Sequence, residues 1–251
     1  MQYQLSRYFP PAESPVSKHV AFTYHLHFPG KESAGFVPPS GLYHFIFPVP
    51  AVTNSQRFEH PAILHPGKLF WFSRQSTSWC TSGCVGVAFY PGAYRYLSGN
   101  ETGISRMVSE IFHASVSASG NADELLSRIS QADLWPVGSG IVDDALSQMI
   151  ALKGIAGVED LAMHYNISVR HFRRLFRQHT GMSPKSYLDL KKLICFYGEI
   201  KAGMPFQQAA LKSGFYDLSH LHRKVRKYFG VKPAGLKHLD NRIIDELMDD
   251  C

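Results

Sequence analysis

Cysteine is scarce and scattered. Only four occur among 251 residues: Cys80, Cys84, Cys195 and Cys251. No pair of Cys-x-x-Cys clusters offers the framework of a structural zinc site, and the spacing fits reduced thiols with no common task. Long apolar runs are lacking as well. None approaches the ~18 residues of a membrane span, so no membrane partner is expected. The first residues, Met1-Gln2-Tyr3-Gln4-Leu5-Ser6-Arg7, lack the basic-then-apolar pattern of an export signal, and a cytoplasmic location is the expectation. No Gly-x-Ser-x-Gly elbow is present to carry a nucleophilic serine. The hydrophobic share, 45%, excludes disorder as the main state, and the length of 251 residues points to one large or two modest domains.

Acidic residues are missing from one tract in particular. Residues 1–150 hold 9 Lys+Arg and 10 Asp+Glu, a net of −1, whereas residues 151–251 hold 17 and 10, a net of +7. Within 166–237 there are 15 basic residues and 3 acidic ones, a net of +12. Such asymmetry between halves points to an anionic partner for the basic half.

The first hundred residues read as strands. Val20 to Phe28, Leu42 to Phe47, Leu69 to Phe72 and Val85 to Tyr90 are short aromatic or β-branched runs punctuated by Gly and Pro, the pattern of a sandwich or barrel. The texture then becomes helical. Asn121 stands where an N-cap belongs, ahead of Asp123 and Glu124, and Ile141, Ala145, Leu146, Met149 and Ile150 repeat at helical spacing.

The basic half contains an internal repeat. At an offset of 49, His171, Arg174, Arg177, Gly181 and Pro184 fall on His220, Arg223, Arg226, Gly230 and Pro233, all identical, and Ser168 falls on Asp217. Each copy is preceded by a short apolar stripe (Val158, Leu161 and Ala162; Phe206, Ala209 and Ala210) and by a turn residue, Asn166 or Gly214. Helix, tight turn and second helix make the helix-turn-helix unit. By wheel angle, Val169, Phe172, Leu175 and Phe176 of the first copy share one face and Arg170, Arg173, Arg174 and Arg177 the opposite one. In the second, Leu221, Val225 and Tyr228 face inward and Ser219, Arg223, Arg226 and Lys227 outward. A cationic face opposite the core suits a helix that enters the major groove, because Arg matches guanine bidentately and phosphate at the rim.

Leu161-Ala162, Ser168-x-x-x-Phe172-x-Arg174-Leu175-Phe176 and Gly181-Met182-Ser183-Pro184 resemble the first helix-turn-helix of AraC-type transcription regulators. Gly214-Phe215, Ser219-x-Leu221, Arg226 and Phe229-Gly230-Val231-Lys232-Pro233 resemble the second. The resemblance covers about residues 155–237. It implies double-stranded DNA as the partner, no cofactor, and a long helix joining the units from Pro184 to about Lys201. Carried over by position, base contacts fall on Arg170, His171, Arg173 and Arg174, with Arg177 near phosphate, and on Leu218, Ser219, His220, His222 and Arg223, while Lys227 joins the outer face. The wheel puts Leu218 nearer the core. Two positions depart from the family pattern, with Phe196 where Ala is usual and Ala209 where Ile is usual.

The implied organisation is α+β. Residues 1–115 form a β-rich, cupin-like domain that senses a small-molecule effector or makes a homodimer. Residues 116–153 form a helical linker region, 154–240 the double helix-turn-helix domain and 241–251 a tail. The stretch from Val85 to Tyr94 resembles β-rich domains of uncharacterised members of the same family. A reading from a different class takes the strand-rich half as a cupin-like, metal-dependent enzyme with an accessory DNA-binding tail. Its motif is His25-x-His27 followed by Glu32, since alternate strand residues share a face, but the pattern's glycines and third histidine are absent. No catalytic or metal-ligating residue is assigned. Trp71, Trp79, Tyr43 and Phe45 line an apolar pocket or fill the core.

Overall fold

Short, largely buried apolar runs form the central strands of the sheet. The computed structural model describes residues 4–27, 34–37, 40–49, 52–53, 56–57, 62–66, 70–73, 83–97, 104–116, 121–132 and 140–238. Nine strands are found among them: β1 (Gln4–Tyr8), β2 (Val20–His27), β3 (Ala34–Val37), β4 (Tyr43–Val49), β5 (Val52–Thr53), β6 (Gln56–Arg57), β7 (Ala62–Leu64), β8 (Phe70–Ser73) and β9 (Gly83–Phe89). A five-stranded sheet runs in the order β1-β2-β9-β4-β7, with β3-β8 and β5-β6 as two-stranded pairs. β9 lies at its centre, antiparallel to β2 and β4, and is buried along its whole length. Strands covered on both faces read as continuous apolar runs, and Gly83-Cys84-Val85-Gly86-Val87-Ala88-Phe89 is one.

Helices α1 (Tyr94–Leu97), α2 (Ile104–Ile111), continued by a π-helical turn over Phe112–Val116, and α3 (Ala122–Gln131) follow. Asn121 caps α3 by accepting from the backbone N–H groups of Asp123 and Glu124. Leu125, Leu126 and Ile129 then share one core with Tyr43, Phe45, Phe47, Val85 and Val87. Tyr43 stacks on Tyr94 and Phe45 meets Phe89 edge-on, so both belong to that core. Trp79, Glu32, Cys80 and Cys251 lie outside the described residues.

The second group of helices comprises α4 (Ile141–Ala151), α5 (Val158–His164), α6 (Val169–Thr180), α7 (Pro184–Lys201), α8 (Phe206–Lys212) and α9 (Leu218–Phe229), closed by a 3-10 turn over Pro233–His238. The chain divides into two compact units, one mainly of residues up to Gly138, the other of Ser139–Cys251 with the short pieces Phe36–Gly41 and Gly67–Phe70. Residues 116–153 therefore do not form one linker. α3 buries its apolar stripe in the strand-rich unit, whereas Val142, Ala145, Leu146 and Met149 of α4 pack with Val158, Leu161, Phe172 and Phe176. A helix joins whichever core accepts its apolar face, and the two stripes went to different cores.

Candidate nucleic-acid interface

Each helix-turn-helix unit is built by the same local devices. Ser168 accepts from the backbone N–H of His171 at 3.2 Å and so starts α6; Asp217 accepts from that of His220 at 3.0 Å and starts α9. Both helices end on a glycine in the left-handed conformation, Gly181 and Gly230. The turns before them need a positive φ, which Asn166 (53°) and Gly214 (75°) supply. The turns differ in length. Val158 and Phe206, which open the first helices, are 48 apart, whereas Val169 and Leu218, which open the second, are 49 apart. The second turn carries one additional residue.

Burial follows the wheel. Phe172, Phe176, Leu221 and Val225 are fully buried and Tyr228 nearly so, while Val169 and Leu175 are half-buried at the core's rim. The residues placed outward are exposed, Arg170, Arg173, Arg174 and Arg177 on α6 and Ser219, Arg223, Arg226 and Lys227 on α9, and so are His171, His220 and His222, carried over by position. Leu218, the first residue of α9, is 37% exposed, although the wheel puts it nearer the core.

α7 joins the units. Ser183 caps it, accepting from the backbone N–H of Ser186, and Pro184 opens it where no donor is needed. Its Tyr187 and Leu188 belong to the core of the first unit, and Leu190, Leu193, Ile194, Phe196, Tyr197 and Ile200 to that of the second. One helix thus carries the second helix of each unit, α6 and α9.

Electrostatics decide which cations are available. The tract 166–237 contains three acids, Asp189, Glu199 and Asp217, and each is held inside the unit. Lys224 of α9 reaches Asp189 of α7 at 2.6 Å, with both side chains largely covered. Lys212 meets Glu199 at 2.6 Å. Asp217 is occupied as a cap, and the backbone N–H of His220 is the main cause that holds its carboxyl below the usual range. Burial, with the Asp189 charge second, pushes the Tyr228 hydroxyl up. Sequence reasoning missed Lys224 as a structural cation; its wheel position beside Leu221 and Val225 was the available signal. Arg173 meets Glu159 of α5 at 3.2 Å across an exposed surface, an interaction worth little and readily exchanged. Arg174 lies 3.4 Å from Nδ1 of His171, and His222 sets its ring edge-on to Phe206.

The helix-turn-helix domain family matches residues 161–238, over both units and α7 between them. The match falls on the stretch whose motifs resemble AraC-type regulators. The curated proteins that resemble it include the HTH-type transcriptional activator RhaS of Pectobacterium carotovorum subsp. carotovorum (strain PC1) and that of Pectobacterium atrosepticum, each 32% identical over 85 residues. The match takes in 31% of this chain and 28% of theirs, so it spans under a third of either relative. The crystal structure of ToxT from Vibrio cholerae O395 aligns with 95% of this chain and 97% of its own at 12% identity, with a TM-score of 0.41 that is too low to bear on the fold.

In the helix-turn-helix domain the two unusual positions share one core. Phe196 and Ala209 are both fully buried in the second cluster, and the Phe196 ring meets Phe206 and Phe215 edge-on. In the strand-rich unit, His25 and His27 lie on β2 with ring centroids 6.3 Å apart. Burial, then His27, lowers the His25 pKa. Among the described residues no group of three or more His, Cys, Asp or Glu is placed to hold a metal ion, and no described helix is long and apolar enough to cross a membrane.

Proposed function

We propose that the chain is a sequence-specific, DNA-binding transcription regulator that lays α6 and α9 into adjacent major-groove segments. The observation that carries the reading is the fate of the three acids: each is held by a partner within the unit, and the cationic faces of both second helices meet one exposed carboxylate, Glu159 beside Arg173. Arg170, His171, Arg173 and Arg174 read bases from α6, with Arg177 on phosphate; Leu218, Ser219, His220, His222 and Arg223 read from α9, with Lys227 at the rim. The likeness to proteins named as transcriptional activators supports this. The strand-rich unit governs the outcome, by taking a small-molecule effector or by pairing two copies, and the role is exercised in the cytoplasm with the DNA. No observation favours the enzyme reading.

Titration of the full chain with duplex DNA at several salt concentrations tests this. Each neutralised phosphate releases counterions, and ~6 such contacts lower affinity roughly 10³-fold between about 50 and 200 mM salt. Affinity indifferent to salt refutes the reading.

A further inference from the structure

The reading helices end alike and begin differently. α6 follows the half-buried Ile167 and the neutral cap Ser168, and its first turn exposes Arg170 and His171. α9 follows the longer turn, and the residue before its cap is Tyr216, 87% exposed and the most exposed large hydrophobic side chain among the described residues. Leu218, on the other side of the cap, is 37% exposed. Single exposed apolar side chains are ordinary on any surface. These two flank the start of a reading helix, at the place where the second unit departs from the first.

Resting on the DNA-binding reading above, we propose that Tyr216 and Leu218 form an apolar reader of thymine methyl groups, so that α9 takes a thymine-containing half-site and α6 a guanine-containing one. The thymine C5 methyl is the apolar group that base edges present in the major groove, whereas guanine presents two acceptors, O6 and N7, that match a guanidinium fork. α6 displays Arg170, Arg173 and Arg174 to such acceptors; α9 has Arg223 with the smaller donors Ser219 and His220. Asp217 strengthens the division. Its carboxylate, fixed on the His220 N–H, puts a negative charge at the start of α9 and turns phosphate away from that point. Arg223, Arg226 and Lys227 stand exposed further along the helix and supply the attraction that brings the apolar pair against the base edges.

The experiment uses the full chain and a duplex it selects from a random pool. The α9 half-site is the half whose preference changes on Arg223→Ala. Thymines are then replaced singly by deoxyuridine, which removes only the methyl group. Affinity should fall about fourfold at one or more α9-side thymines, the worth of one buried methyl. That sensitivity should vanish in Leu218→Ala or Tyr216→Ala, both surface changes whose folding is checked by circular dichroism. Replacing guanines by 7-deazaguanine should weaken the α6 half and do so only while Arg174 is present. The proposal is overturned if α9-side thymines tolerate deoxyuridine, or if the sensitivity persists in both variants. Failure to select any duplex overturns the DNA-binding reading itself, and this inference with it.

Discussion

Lengthening α7 by two residues rotates everything beyond the insertion by about 200° and moves it about 3 Å along the axis. The site of insertion matters. At Cys195, which is buried among the second cluster's residues, it would turn Phe196, Tyr197 and Ile200 out of their core and unfold that unit. At Asp189 it falls between Leu188, the last residue of the first cluster, and Leu190, the first of the second, at the cost of the Lys224 ion pair. The buried residues of each cluster on α7 then stay on their own side of the insertion, Met182 loses one of the two clusters it packs against, and α6 and α9 no longer face the same side of the DNA. α7 has 18 residues and spans about 27 Å, against ~34 Å for one turn of DNA, so no slack exists to absorb the rotation. Losing one unit's readers, taken as two bidentate contacts at ~1–3 kcal/mol each, lowers specific affinity roughly 30-fold to 10⁴-fold. Inserting four residues rotates by about 400°, within about 40° of the native phase, and should recover a large part of the loss. Quantitative footprinting of the full chain on its selected site, with circular dichroism to confirm helix content, measures both. An unchanged footprint and affinity for the two-residue insertion would mean that only one unit reads DNA.

Two further outcomes follow from exposed cations and from a buried neutral histidine. Arg174→Ala and Arg223→Ala should each cost ~1–3 kcal/mol at the specific site and relax preference at one base pair, whereas Arg177→Ala should weaken all sequences alike; equal losses on specific and random DNA for all three contradict the division. His44 on β4 is fully buried, and burial lowers its pKa from 6.5 to about 4. Below pH 6.5 the unfolded chain binds a proton that the folded one refuses, so stability is lost as pH falls from 6.5 towards 4, by about 3 kcal/mol in all. Denaturant melts of wild type and His44→Phe across that range test it, and a wild-type profile no steeper than that of the variant refutes it.

Much of the helix-turn-helix half was legible because its signals are local. Ser168, Asp217, Gly181 and Gly230 act within a turn of where they stand, and the spacing of Phe172, Phe176, Leu221 and Val225 reports one helix face irrespective of what covers it. The extent of α7 was legible for the same reason, between a Ser-Pro start and Lys201. The strands β2, β4 and β9 were visible as apolar runs, but their pairing was not, since β9 joins partners 60 and 40 residues away in the chain. The wheel placed Leu218 nearer the core, whereas the structure leaves it 37% exposed at the start of α9.

The sequence alone therefore determined that two helix-turn-helix units exist, which face of each second helix is cationic, and that a continuous helix joins them. These follow from periodicity and caps, which act over a few residues. Only the tertiary structure decided which cations are free. Lys224 and Arg223 are neighbours of the same charge, yet one closes an ion pair with Asp189, 35 residues away, and the other stands in solvent. It likewise sent α3 and α4 to different cores. Whether a charge is spent on the fold or left for a partner depends on what lies across the helix, and that neighbour is set by packing rather than by position in the chain.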